Sequence, residues 1–236
     1  MTSQLVALCI AAHDPLAQAD FWAGVLGREK ADDTVLLPSD DTGFPIRFLA
    51  TDEPKTGPNQ IHFDLTSASL EDQQATVERV LALGGRHLEI GQLPEEEHVV
   101  LADPEGNEFC VIEPGNNFLA DCGRIGALSS DGTQAVGYFW SAALAWPLVW
   151  DQDEETAIQS PRGGSKVTWG GPPVRAKTGR NRMHLDLAPA GEGDLQAEVD
   201  RLVSLGATRV DDRGGETDRV EMLDPDGNEF CVLAPR

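Results

Sequence analysis

Histidine and aspartate alternate twice in this chain, as His62-Phe63-Asp64 and as His184-Leu185-Asp186. Alternate residues of a β-strand project to the same face, so each pair sets an imidazole beside a carboxylate. Lining a cavity, such a pair can carry acid–base chemistry or orient a ligand. A hydrogen-bonded structural pair satisfies the same pattern, and both readings stand open. Two cysteines recur in the same way: Cys110 closes "DPEGNEFC" and Cys231 closes "DPDGNEFC". A neighbouring cation such as Arg47 can make a thiol nucleophilic by lowering its pKa. A cysteine inside an apolar strand such as "FCVI" more often packs.

The elements that must position these groups repeat. "FW" at Phe21 returns at Phe139, "IHFDL" from Ile61 returns as "MHLDL" from Met183, and "LALGG" from Leu81 returns as "VSLGA" from Val203. With the two octapeptides, four features recur in one order at nearly constant spacing, which marks a tandem duplication. The turn-rich "PGNNF" places the boundary between units 1–117 and 118–236. Within a unit the pattern reads β-α-β-β twice, with room for a short extra strand. "LVALCIAA" is a buried first strand, Asp14 caps a helix that begins at Pro15, and Gly27 supplies its left-handed stop. "QIHFDLTS" alternates with period two, a second helix starts from a cap near Ser69, and Gly106 takes the positive φ of the Asp-Pro turn. The class is α+β, with one curved, mostly antiparallel sheet per unit, helices outside it and a concave face within.

Charge excludes several partners. Forty acidic residues against 18 basic ones give a net charge of -22 over 236 residues. Nucleic acids and anionic membranes need a basic face, which this composition lacks. No apolar run reaches the length of a membrane span. The four cysteines form no CxxC pair, so a structural zinc knuckle is excluded and reduced thiols in the cytoplasm are expected.

The segments "DPLAQADFWAGVLG", "IHFDL" leading into "LALGG", and "DPEGNEFCVIEP", with their second-half counterparts, resemble the vicinal oxygen chelate superfamily. That group includes glyoxalase I, bleomycin-resistance proteins and extradiol dioxygenases. The resemblance implies a divalent ion on the concave face, held by His and Glu from the first and last strands of each module. The corresponding positions here are Ala7, Arg47, His62 and Cys110 in the first half, and Arg124, Thr168, His184 and Cys231 in the second. Each half thus offers one imidazole and one thiol, whereas a catalytic ion needs about three protein ligands. Strand parity can add Cys9 to the face that carries Ala7. A cofactor-free protein is expected, with a divalent metal disfavoured.

The expected function is metal-independent binding of a small molecule. The ligand would sit near Arg47, His62, Asp64 and Cys110, or near Thr168, His184, Asp186 and Cys231. Catalytic residues stay unassigned. One alternative is a glyoxalase- or lyase-type enzyme using His62 or His184 with an atypical metal site. Another is that one half serves as a degenerate scaffold or assembly module. Trp150 and Trp169 can stack on a planar or cationic ligand. "GGPPVRAKTGRNR" from Gly170 reads as a flap over the second cavity or as a surface loop. A monomer or a homodimer is expected.

Overall fold

The computed structural model describes residues 2–93, 95–191, 193–210 and 218–235. Four modules follow one another. The first holds β1 (Ser3–Ala12), α1 (Pro15–Leu26), β2 (Lys30–Asp32), β3 (Val35–Leu36) and β4 (Ile46–Ala50). The second holds β5 (Ile61–Leu65), α2 (Leu70–Ala82), β6 (Arg86–His87), β7 (Val99–Ala102) and β8 (Glu108–Val111). The third holds β9 (Ile125–Ser130), α3 (Gln134–Leu144), β10 (Leu148–Gln152), β11 (Glu155–Gln159) and β12 (Lys166–Trp169). The fourth holds β13 (Met183–Pro189), α4 (Leu195–Ser204), β14 (Thr208–Arg209), β15 (Arg219–Leu223) and β16 (Glu229–Leu233).

The local signals act as their chemistry dictates. Asp14 accepts the Ala17 N–H at 3.1 Å and Ser69 the Asp72 N–H at 3.2 Å, each satisfying a donor that a helix start leaves open. Gly27 takes φ 65° at the end of α1, the left-handed stop that lets the chain leave the helix.

The octapeptide is a clip between turn and core. The Asp103 carboxylate accepts backbone N–H bonds from Glu105 (2.9 Å) and Asn107 (2.8 Å), together with the Asn107 side chain (2.8 Å). It also accepts the buried Trp22 indole N–H at 3.3 Å. Asp224 repeats the arrangement with Asp226, Asn228 and Trp140, the indole at 3.2 Å. Gly106 and Gly227 take φ 87° and 83° in the two turns. Trp22 and Trp140 pack edge-on against Phe109 and Phe230, so each tryptophan joins a helix to the last strand of a module.

The sheets correct one expectation. Each of the two eight-stranded sheets draws on both halves, in the orders β14-β15-β16-β13-β1-β4-β3-β2 and β10-β11-β12-β9-β5-β8-β7-β6. The first module therefore shares a sheet with the fourth, and the second with the third. The seams are antiparallel: β1 runs beside β13 with Cys9 opposite His184, and β5 beside β9 with His62 opposite Ser129. A strand's alternation fixes which face is buried but does not name its neighbour, so the sequence repeat alone suggested one sheet per half.

A second repeat anchors the histidine strands. "KTGPNQ" from Lys55 and "KTGRNR" from Lys177 lead into β5 and β13. Lys55 pairs with Glu108 at 2.9 Å and Lys177 with Glu229 at 2.6 Å. The same carboxylates accept the backbone N–H groups of Asn59 and Asn181. The two turns meet across the molecule: a Cβ on Gly57 would lie 3.3 Å from Thr178 Oγ1, and one on Gly179 3.3 Å from Thr56 Oγ1.

Candidate functional site

Because the sheets are shared, the predicted site residues regroup. On the first sheet Arg47 (β4) joins His184 and Asp186 (β13), Cys231 (β16) and Cys9 (β1). On the second sheet Thr168 (β12) joins His62 and Asp64 (β5), Cys110 (β8) and Ser129 (β9). Arg47 and Thr168 thus sit with the opposite groups from those their halves suggested.

Asp186 is the hub of the first face. Its Oδ2 accepts the Cys9 thiol at 3.1 Å and Arg47 Nη1 at 3.2 Å. Its Oδ1 lies 3.5 Å from His184 Nε2, a separation long for a hydrogen bond. The two atoms face each other without another partner among the described residues. Burial alone would push the Asp186 carboxyl up. The contacts of His184 and Cys9 and the charge of Arg219 outweigh it and hold the group below the usual carboxylate range. A depressed carboxyl stabilises the fold above its unfolded range, and that contribution is lost as pH falls through the folded value.

Next to this hub, Arg219 on β15 donates through Nε and Nη2 to Cys231 Sγ at 3.1 and 2.8 Å. The Cys231 thiol is pushed up to about 11, burial outweighing the pull of the guanidinium. Cys9 is raised further, first by burial and then by the Asp186 charge. Both cysteines are therefore protonated packing groups at neutral pH, not nucleophiles. Alkylation of the native protein by iodoacetamide in mildly alkaline buffer is expected to spare Cys9 and Cys231, which are 0% and 1% exposed. Peptide mapping should find all four cysteines modified only after denaturation.

On the second face the His62–Asp64 separation is 3.4 Å, and Asp64 accepts the hydroxyl of Ser129, which in turn accepts that of Thr168 at 3.3 Å. Burial, then the Asp64 charge, pushes the Cys110 thiol up. Trp150 lies opposite Ala157, and Ala157 opposite Thr168, so Trp150 shares this face. Its ring meets Phe118 of the inter-unit segment edge-on at 6.0 Å, and Lys166 Nζ stands 4.5 Å from the Phe118 centroid.

Two further expectations are corrected. Trp169 is 3% exposed and belongs to the core, so it offers no stacking surface. Arg124 lies just ahead of β9 and donates to Thr66 O at 2.9 Å and Asp72 Oδ2 at 3.2 Å, away from the site. The residue in the position of Cys9 is Ser129, set opposite His62 as Cys9 is opposite His184. The segment from Gly170 to Arg182 is tied down by Arg175–Asp131, Lys177–Glu229 and Arg180–Glu221 ion pairs, at 2.6, 2.6 and 2.8 Å.

Two residues had not been singled out from the sequence, Arg219 and Ser129. The alternation of "RVEML" puts Arg219 and Glu221 on one face, and the register carries that face onto Cys231.

The donor sets Cys9–His184–Asp186 and His62–Asp64–Cys110 each gather ligand-type atoms within 4.8 Å of one another. Neither fits a hard divalent ion. On the first face an ion bound at Asp186 would displace or face the Arg47 guanidinium, with repulsion of about 4 kcal/mol per unit charge at 4 Å. Each set includes a cysteine sulfur, a soft donor that a hard ion does not favour. Its carboxylate is already engaged, Asp186 by the Cys9 thiol and the Arg47 guanidinium and Asp64 by the Ser129 hydroxyl.

Beside Asp186 the concave face opens into a cavity of about 430 Å³ with Arg47 and Arg219 in its wall and Leu49, Leu233 and Pro235 among its apolar lining. Paired β-α-β-β modules around two concave sheets define a glyoxalase-like architecture. A family profile described as "Glyoxalase-like domain" matches residues 7–112 and again 127–233. The chain belongs to that family, within the vicinal oxygen chelate superfamily, and carries the domain twice. Glyoxalase I from Zea mays superposes with TM-score 0.64 at 14% identity, over 99% of this chain and 92% of that one. A putative dioxygenase from Bacillus subtilis subsp. subtilis str. 168 superposes with TM-score 0.60 at 12% identity, over 98% of this chain and 84% of that one. At such identities the likeness is one of fold. Among curated proteins none matches the sequence.

Proposed function

We propose that the protein binds a small molecule without a metal ion, on the concave face of the sheet formed by the first and fourth modules. The observation that carries this reading is the cavity of about 430 Å³ beside Asp186, walled by two guanidinium groups where a metal centre would need lone pairs. Its volume falls in the range of small-ligand sites, and its lining divides evenly between charged side chains (Arg47, Asp186, Asp218, Arg219) and apolar ones (Leu49, Leu233, Ala234, Pro235). The second face supports the reading less: Phe118 stands against Trp150 there, and no cationic side chain approaches His62 or Asp64 within ion-pair distance among the described residues.

Ligand-observed NMR of chelator-treated protein against a panel of soluble metabolites, followed by amide shift mapping of the labelled protein with each hit, tests the proposal. Binding to the metal-free protein, with amide shifts confined to β1, β4, β13, β15 and β16, is the expected result. Binding that appears only after zinc, nickel or manganese is added back would overturn it.

A further inference from the structure

Superposed in register, the two concave faces differ in charge. Where the first sheet has Cys9, Arg47 and Cys231, the second has Ser129, Thr168 and Cys110. Arg219, two residues before Glu221 on β15, corresponds to His98 just ahead of β7. The first face therefore carries two guanidinium groups at positions where the second has a hydroxyl and an imidazole.

The two cations are not equivalent. Asp186 is bonded to Arg47 and offsets its charge. Arg219 is bonded instead to the Cys231 sulfur, which stays a neutral thiol at neutral pH. Among the described residues the other carboxylates here are Glu221, which pairs with Arg180 at 2.8 Å, and Asp218 at the cavity wall. Among the described residues, Arg47, Arg180 and Arg219 thus match Asp186, Glu221 and Asp218 in number, in a protein of net charge -22. Such a locally neutral patch can receive a single negative charge that the rest of the surface repels. The thiol contact takes the Nε–Nη2 edge and holds the Arg219 side chain in place. The Nη1–Nη2 edge left for a carboxylate is thus oriented before a ligand arrives, and less rotamer entropy is lost on binding.

From this asymmetry we infer that the ligand is a small organic carboxylate, held by Arg219 and Arg47 with its apolar body against Leu49, Leu233 and Pro235, one per chain. The inference rests on the reading of this face as the binding site and adds the ligand class and stoichiometry. A planar carboxylate matches a guanidinium fork in a bidentate fashion. The apolar part of the cavity favours a hydrocarbon body over a multiply charged phosphate.

Calorimetric titration of the full chain with benzoate and hexanoate, with their uncharged amides and with inorganic phosphate, is the test. Saturation by one equivalent of carboxylate, no binding of the amides, and a loss of at least about tenfold in affinity in Arg219→Met are expected. Arg47→Lys keeps the charge and loses the fork, and should fall between wild type and Arg219→Met while retaining the wild-type circular dichroism. Equal binding of amides and acids, or an unchanged affinity in a folded Arg219→Met, would overturn the carboxylate assignment and leave the binding site itself standing. Tighter binding of phosphate than of either carboxylate, or no binding of any probe, would also overturn the ligand class. The metabolite screen judges the site separately.

Discussion

Replacing Asp103 or Asp224 by alanine is expected to destabilise the protein by at least about 3 kcal/mol each, since every buried donor left without a partner costs about 1–3 kcal/mol. Asp103→Ala strands the Trp22 indole N–H, the Asn107 side chain and two backbone N–H groups in a turn where Asp103 is 0% exposed. For a chain of this size the loss corresponds to a fall of roughly 6–12 °C in Tm. Burial raises both carboxyls above their ordinary range, and the hydrogen bonds only partly counter it. The sign follows: ionisation of these groups costs the folded state at neutral pH, and that cost is relieved as pH falls through the folded value. Asp103→Asn removes the charge but turns an amide toward the Trp22 and Asn107 donors, so its loss should be smaller than that of the alanine variant. Thermal unfolding followed by circular dichroism measures all of these. An alanine variant that melts with wild type would show that the clip does not hold turn and core together.

Separating the halves should have the larger consequence. Residues 1–117 contain β1 and β5, whose seam partners β13 and β9 lie in the other half. An isolated first half would expose the edges of β1 and β5 with Leu8, Ile10, Phe63 and Leu65 beside them, all 0% exposed in the whole chain. Unpaired strand edges flanked by apolar residues invite association. Expressed alone, residues 1–117 should be unfolded or self-associated. Co-expressed with 118–236, they should form a 1:1 complex with the circular dichroism of the intact chain. Size-exclusion chromatography with light scattering distinguishes these states, and a stable, folded monomer of either half would contradict the shared-sheet architecture.

Much of this fold is written locally. Asp14 and Ser69 are caps, Gly27 and Gly106 are positive-φ stops, and the alternation of "IHFDL" puts His62 and Asp64 on one face, because each depends on a few neighbouring residues. The partner of a strand does not. The register of Cys9 against His184 spans 175 residues, and apolar alternation would serve equally well beside a neighbour from the same half. That is why Arg47 and Thr168 were assigned to the wrong groups while their faces were assigned correctly. Arg124 failed for another reason: the segment entering β9 lacks the flanking motif that pins the histidines, and the residue that faces Asp64 as Ala7 faces Asp186 is Ala127. Trp169 shows the limit of composition, since a tryptophan in a short strand stacks on a ligand or on the core according to parity, and here Val167 and Trp169 share the buried side. Arg219 was legible only once β15 was paired with β16.

Metal titration of the chelator-stripped chain, followed by native mass spectrometry at neutral pH, bears most directly on metal independence. With Asp186 engaged by Arg47 and Cys9, and Asp64 by Ser129, zinc, nickel and manganese should each leave the protein at its apo mass at micromolar metal. One stoichiometric ion retained by the wild type, and lost in His184→Ala or His62→Ala, would contradict the account.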